Sequence, residues 1–158
     1  MKIMNGAVVI IAIMLWVQMS FFQLGDKQPE APIVTAAQIR SAQADEKFKG
    51  RFVIVDVRGK KETDVSVIPG AMTQAEFEAA AKLHQGKIVV VYCTVGYRSG
   101  IYAKKLRKKG WNAVNYKGSI LDWCNNQLPV VTRTGESTKR VHTYNSSYSV
   151  ADGYEAVY

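Results

Sequence analysis

Two kinds of apolar run alternate along this chain. Phe52-Val53-Ile54-Val55, ending at Asp56, and Lys87-Ile88-Val89-Val90-Val91-Tyr92 are continuous and rich in β-branched residues, a pattern that predicts strands buried on both faces. Ile33-Val34 and residues 112–116 (NAVNY) are shorter strand candidates. Residues 68–71 (IPGA) predict a short extended piece with a turn, because Pro69 sets φ and Gly70 permits the bend. The intervening stretches carry helix start and stop signals. Thr35 caps a helix over 36–43. Thr73 caps another over 74–84, with Glu76 and Glu78 in its early turns and Gly86 beyond its end. Residues 99–109 predict a helix closed by Gly110, and 118–126 a last one stopped before Leu128-Pro129. Residues 60–66 are polar and predict a loop or a single turn. Strands alternating with helices predict an α/β fold with a mostly parallel sheet covered on both faces.

The ends of the chain break this pattern. Residues 7–24 (AVVIIAIMLWVQMSFFQL) lack charge, and as a helix they extend about 27 Å, close to one bilayer core. An uncleaved N-terminal transmembrane anchor is the expectation for 1–24. A cleaved signal peptide is the alternative, but bulky Phe21, Phe22, Gln23 and Leu24 stand where small residues would precede a cut. Lys2 on the inner side places the remainder outside the cytoplasmic membrane, in a bacterium the periplasm; with cleavage it is secreted. Residues 25–30 form a polar linker, 31–131 the folded domain. Residues 132–158 have weak periodicity and form a tail that docks through Tyr144, Tyr148, Tyr154 and Tyr158.

Composition narrows the function. The chain has 158 residues, room for one domain with a real core but not for two large ones. Its 2 cysteines exclude a disulfide scaffold and an all-cysteine zinc site, and 2 histidines leave little for a multi-histidine metal centre. A net charge of +8 points to anionic partners.

The chemistry is expected after the strongest strand. In open parallel sheets ligands bind beyond the carboxyl ends of strands, where loops enter helix N-termini. Cys93 is the first residue after 87–92, and Thr94, Val95, Gly96, Tyr97 and Arg98 lead into a helix. Backbone N–H groups of such a loop converge on one point, Gly96 permits the tight turn, and the helix dipole adds positive charge. A thiol there has a lowered pKa and is a good nucleophile, and Arg98 adds a full charge beside it. The bland alternative is a small buried hydrophobe.

Four segments in order, VIVDVR (53–58), IPGA (68–71), VVVYCTVGYRSG (89–100) and Tyr116 to Trp123 ahead of LPVV (128–131), resemble the rhodanese family over residues 31–131. The resemblance implies a five-stranded, mostly parallel sheet between helical layers. It implies sulfur transfer. Cys93 takes sulfane sulfur from a small oxyanion donor such as thiosulfate, becomes a persulfide, and hands the sulfur to cyanide or a thiol. The amides of Thr94 to Arg98 cradle the persulfide, and Arg98 binds the donor's anionic end. No metal or organic cofactor is implied. Related phosphatases carry a loop one residue longer; here that position is Ser99, so the loop suits sulfur. The family often has His before IPGA, where this chain has Val67. A persulfide mechanism barely needs a base, because a thiolate is already nucleophilic.

Asp56 and Arg58 end a strand near the expected site and are assigned to supporting its loop. Lys104, Lys105, Arg107, Lys108 and Lys109 form a basic face, read as solvated; no aromatic platform for nucleic acid is interleaved with them. Cys124 reads as an inert buried thiol. Two other classes compete with the enzyme: a membrane-tethered binding module without catalysis, and a thiol redox sensor pairing Cys93 with Cys124.

Overall fold

The computed structural model describes residues 30–158; the apolar run 7–24 and the rest of 1–29 lie outside the described residues. Among the described residues no helix is long and apolar enough to cross a membrane. Helix α1 (Ala36–Ala44) opens with a capping box in which Thr35 and Gln38 exchange side-chain and backbone bonds. Strand β1 (Phe52–Asp56) follows, then a single helical turn, α2 (Lys60–Thr63). Strand β2 (Ala71–Thr73) leads into α3 (Gln74–Ala79), capped reciprocally by Thr73 and Glu76, and a 3-10 turn ends that layer at His84. Strand β3 (Ile88–Tyr92), helix α4 (Tyr97–Lys108), strand β4 (Asn112–Asn115) and helix α5 (Ser119–Asn125) complete the alternation.

The sheet is parallel, with order β2-β1-β3-β4. Side-chain alternation sends Val53, Val55, Val89 and Val91 to one face, against Phe77, Tyr102 and Leu106. Ile54, Val90 and Tyr92 go to the other, against Ile39, Ile120 and Trp123. Both faces are therefore dry, as the continuous apolar runs require. The expected fifth strand is a correction: among the described residues the sheet has four strands, and Ile33 makes a single parallel bridge to Asn115. Asn115 donates its N–H to the Pro32 carbonyl and accepts from Val34. Pro32 has no N–H to extend the ladder, and Thr35 already caps α1.

Residues 132–158, read as a tail, form short strands packed on the domain. Strands β5 (Val130–Val131) and β6 (Ser137–Thr138) pair antiparallel, and β7 (Arg140–His142) and β8 (Glu155–Val157) pair parallel. Val141 is fully buried in the core that holds Trp123, and the Tyr154 hydroxyl donates to the Leu128 carbonyl at 2.6 Å. The segment between β7 and β8 carries Tyr144 and Tyr148 across the carboxyl end of β3, beside Cys93.

Candidate active site at Cys93

Strand β3 delivers Cys93 to the sheet's carboxyl edge, and four residues, Cys93 to Gly96, turn the chain into α4. Gly96 has φ +90°, and a Cβ there would sit 2.0 Å from the Lys117 carbonyl oxygen. Only glycine fits both the left-handed conformation and the approach of that backbone. The Gly96 N–H donates to Cys93 Sγ at 3.1 Å. Helix α4 begins two residues earlier than its sequence pattern predicts, which puts Arg98 and Ser99 in its first turn. The Ser99 hydroxyl donates to Sγ at 3.6 Å.

A second helix start closes the loop from behind. The Ile120 and Leu121 amides of α5 donate to the Cys93 and Thr94 carbonyls at 3.1 and 3.4 Å. Ser119, with φ +58°, accepts the Cys93 N–H at 3.0 Å and places its hydroxyl 3.8 Å from Sγ. Cys93 is only 1% exposed. Burial pushes its thiol up, but the Ser99 amide and hydroxyl, the Ser119 hydroxyl and the Val95 amide together outweigh it and lower the pKa. Cys124 shows the opposite balance: burial without such donors pushes it up to about 12. Both cysteines are free and buried.

The charged groups are arranged differently from the expectation. Arg98 lies beside the loop, but its guanidinium is held by Glu62 of α2: Nη1 and Nη2 donate to the two carboxylate oxygens, each at 2.7 Å. Nη2 also donates to Thr94 Oγ1 at 2.8 Å. Thr94 in turn donates to Glu62 at 2.8 Å, and Tyr144 covers the guanidinium at 5.3 Å. Burial pushes the Glu62 carboxyl up, yet its bonds from Arg98, Thr94 and the Gly59 amide hold it at about 2. Arg98 thus presents a charge already compensated by a carboxylate. Asp56 and Arg58 form a fully buried ion pair at 2.7 Å, and Arg58 also donates to the Ser66 carbonyl at 2.6 Å. Their side chains make no hydrogen bond to residues 93–98; they brace the turn before Ile68, whose amide donates to the Tyr92 hydroxyl at 3.1 Å. Direct support of the loop comes from Glu62 and Ser119.

Above Cys93 opens a cavity of about 340 Å³, walled by Val95, Tyr97, Tyr144 and Tyr148. A larger cleft of about 500 Å³ lies beside α2 and α3 and is not lined by Cys93. We take the smaller one as the site, because it holds the nucleophile with the lowered pKa. Among the described residues no group of three or more potential ligands could hold a metal ion.

Two contributors escape a reading of the sequence, and two that it expects only to dock on the domain turn out to stand beside Cys93. Glu62 sits in a polar turn, and only its spacing from Gly59 hints at a capping role. Ser119 lies within the Tyr116–Trp123 stretch but carries no signal of its own. Tyr144 and Tyr148 lie in weakly patterned sequence.

Similarity to known proteins agrees with this geometry. The chain is 36% identical over 73 residues to a tRNA sulfurtransferase of Desulfurococcus amylolyticus, 45% of this chain and 14% of that one. It is 32% identical over 85 residues to the probable adenylyltransferase/sulfurtransferase MoeZ of Mycobacterium tuberculosis, 50% of this chain and 22% of that one. The chain therefore spans less than a quarter of either relative. The human single-domain sulfurtransferase TSTD1 superposes with a TM-score of 0.50 at 27% identity, covering 60% of this chain and 96% of that one. A family model for the rhodanese-like domain matches residues 35–126, more than half of the sequence, and the chain belongs to that family.

Proposed function

We propose that the protein is a sulfurtransferase that carries sulfane sulfur as a persulfide on Cys93. The observation that carries this reading is a buried thiol, lowered in pKa, at the focus of the Gly96 amide and the Ser99 and Ser119 hydroxyls. The Cys93 thiolate attacks the outer sulfur of a donor X–S⁻. A bond forms from Sγ to that sulfur, the X–S bond breaks, and its electron pair leaves with X. The terminal sulfur of Cys93–S–S⁻ then lies in the cavity above the loop, where the α4 dipole and the loop amides offset its charge. An acceptor thiolate or cyanide attacks it and restores the Cys93 thiolate. No proton must be moved by the protein, which fits a site with neither histidine in its lining. The sulfurtransferase relatives support this chemistry at low identity.

Intact mass of the full chain, before and after a sulfane donor, tests the proposal. A gain of about 32 Da, reversed by a thiol reductant and absent in Cys93→Ser, is expected. A folded chain with Cys93 free that gains nothing from any sulfane donor points to the binding-module reading instead. The apolar run 7–24 behind a single lysine supports a membrane-anchored protein with its domain on the outer side. Sedimentation with membranes after alkaline washing, and protease access from outside, test that placement.

A further inference from the structure

The mouth of the Cys93 cavity is built for a different donor than a bare inorganic oxyanion. Thiosulfate presents a dianion, and a dianion in a small cavity needs uncompensated positive charge or a dense set of donors. Among the described residues Arg98 is the only cation lining the cavity, and it is held end-on by Glu62, so the pair carries no net charge. Three of the guanidinium's donated bonds go to Glu62 and Thr94, and one of its faces meets Tyr144. The remaining wall is apolar: Val95, Tyr97, Tyr144 and Tyr148.

The two tyrosines from the segment between β7 and β8 are placed there deliberately by the backbone. Tyr144 has φ +75°, a left-handed conformation that is strained for a bulky residue. Its N–H donates to His142 Nδ1 at 3.0 Å, and Thr143 donates to the Asn145 carbonyl at 3.0 Å, which holds the bend. Tyr148 is tied to the same turn by its N–H, which donates to the Asn145 carbonyl at 3.4 Å. Tyr144 is 59% and Tyr148 40% exposed, so both rings keep contact area free beside the nucleophile. A cavity of about 340 Å³ is at the lower end of the range for small-molecule sites and has room for one ring next to the reacting sulfur.

We propose that Tyr144 and Tyr148 are specificity-determining residues that select a monoanionic organic sulfane donor, with an apolar or aromatic group, over inorganic thiosulfate. The inference rests on the sulfur-transfer reading of Cys93. For an organic thiosulfonate the step is Cys93–S⁻ + R–SO₂–S⁻ → Cys93–S–S⁻ + R–SO₂⁻. One S–S bond forms, one breaks, and the electron pair leaves on the sulfinate. An organic persulfide R–S–S⁻ delivers its outer sulfur in the same way and leaves as a thiolate. The group R rests between the tyrosine rings, and the leaving group carries one negative charge fewer than sulfite.

Three donors test this on the full chain with a thiol acceptor: benzenethiosulfonate, methanethiosulfonate and thiosulfate. The first two share charge and reaction and differ by the ring. Two aromatic contacts predict a preference for benzenethiosulfonate over methanethiosulfonate of about tenfold in kcat/KM, mainly in KM. Thiosulfate is expected to be poorer than either. The double variant Tyr144→Ala with Tyr148→Ala removes the ring preference, while Tyr144→Phe with Tyr148→Phe retains it. If the double alanine variant does not fold, Tyr148→Ser alone carries the same comparison. A wild type that uses methanethiosulfonate or thiosulfate as well as benzenethiosulfonate overturns the proposal and leaves sulfur transfer standing. So does a folded alanine variant with an unchanged ratio. A wild type that loads sulfur from none of the three overturns sulfur transfer itself, and this preference with it.

Discussion

At the scale of single residues, the two cysteines show that environment decides reactivity. Both are buried, and burial raises both pKa values. Around Cys93 the amides and hydroxyls that bond the thiolate reverse the effect; around Cys124 nothing does. We therefore expect iodoacetamide to label Cys93 in the native chain, with a half-maximal pH below that of an ordinary thiol at about 8.5. Cys124 should stay unlabelled until the chain unfolds. The sign follows from the thiolate being the reactive form: a lower pKa leaves more thiolate at neutral pH. Ser119→Ala removes the acceptor for the Cys93 N–H and one hydroxyl near Sγ. It should slow labelling at pH 7 by roughly 3- to 10-fold, the worth of one such bond. Peptide mass mapping reads both outcomes, and equal labelling of the two cysteines would count against the assignment.

At the scale of elements, the site is a junction of two helix starts and one strand end. Helix α4 supplies the amides and Ser99, α5 holds the loop carbonyls, and β3 fixes the point where both meet. The loop passes so close to Lys117 that residue 96 has no room for a side chain. Gly96→Ala should cost roughly 2–5 kcal/mol, from the left-handed backbone and the backbone clash together. It should also raise the Cys93 pKa, because the displaced loop no longer presents the Val95 and Ser99 donors to the sulfur. Thermal unfolding and labelling rates of the variant check the two effects. The same substitution at Gly86, where an added Cβ meets nothing, should cost only the conformational strain.

At the scale of the molecule, Glu62 ties the first half of the fold to the second. It bonds Thr94 and Arg98 across 32 and 36 positions of sequence. Its carboxyl is held at about 2 against an ordinary value of 4.5. A carboxyl depressed on folding adds stability that is fully present above pH 4.5 and is lost as the pH falls through about 2. Glu62→Gln should cost about 1–3 kcal/mol near neutral pH, because Arg98 is partly exposed and solvent screens the pair. The difference between wild type and variant should shrink steadily from pH 4.5 toward 2. Thermal melts across that range test it; a pH-independent difference would show that Glu62 acts by packing alone. The same pair compensates the charge of Arg98 at the site, so its geometry bears on donor choice as well as on stability.

The sheet and the nucleophile were legible in the sequence for local reasons. Continuous β-branched runs bounded by capping threonines and glycines specify buried parallel strands and their helices almost independently of context. A cysteine at the end of the strongest strand, with Gly96 three and Arg98 five positions after it, announces its loop. Even there the fifth strand shrank to one bridge, since Pro32 and the Thr35 cap compete with it for the same residues. What only the tertiary structure decided is who surrounds the sulfur. Glu62, Ser119 and the pair Tyr144 and Tyr148 come from three separate segments, and no periodicity of 2 or 3.6 encodes a meeting at that distance. The charge of Arg98 was plain in the sequence; that Glu62 cancels it depends on a contact across 36 residues. Local propensity is written in neighbours along the chain. The electrostatics of a buried site is written in neighbours through space, and folding alone brings those together.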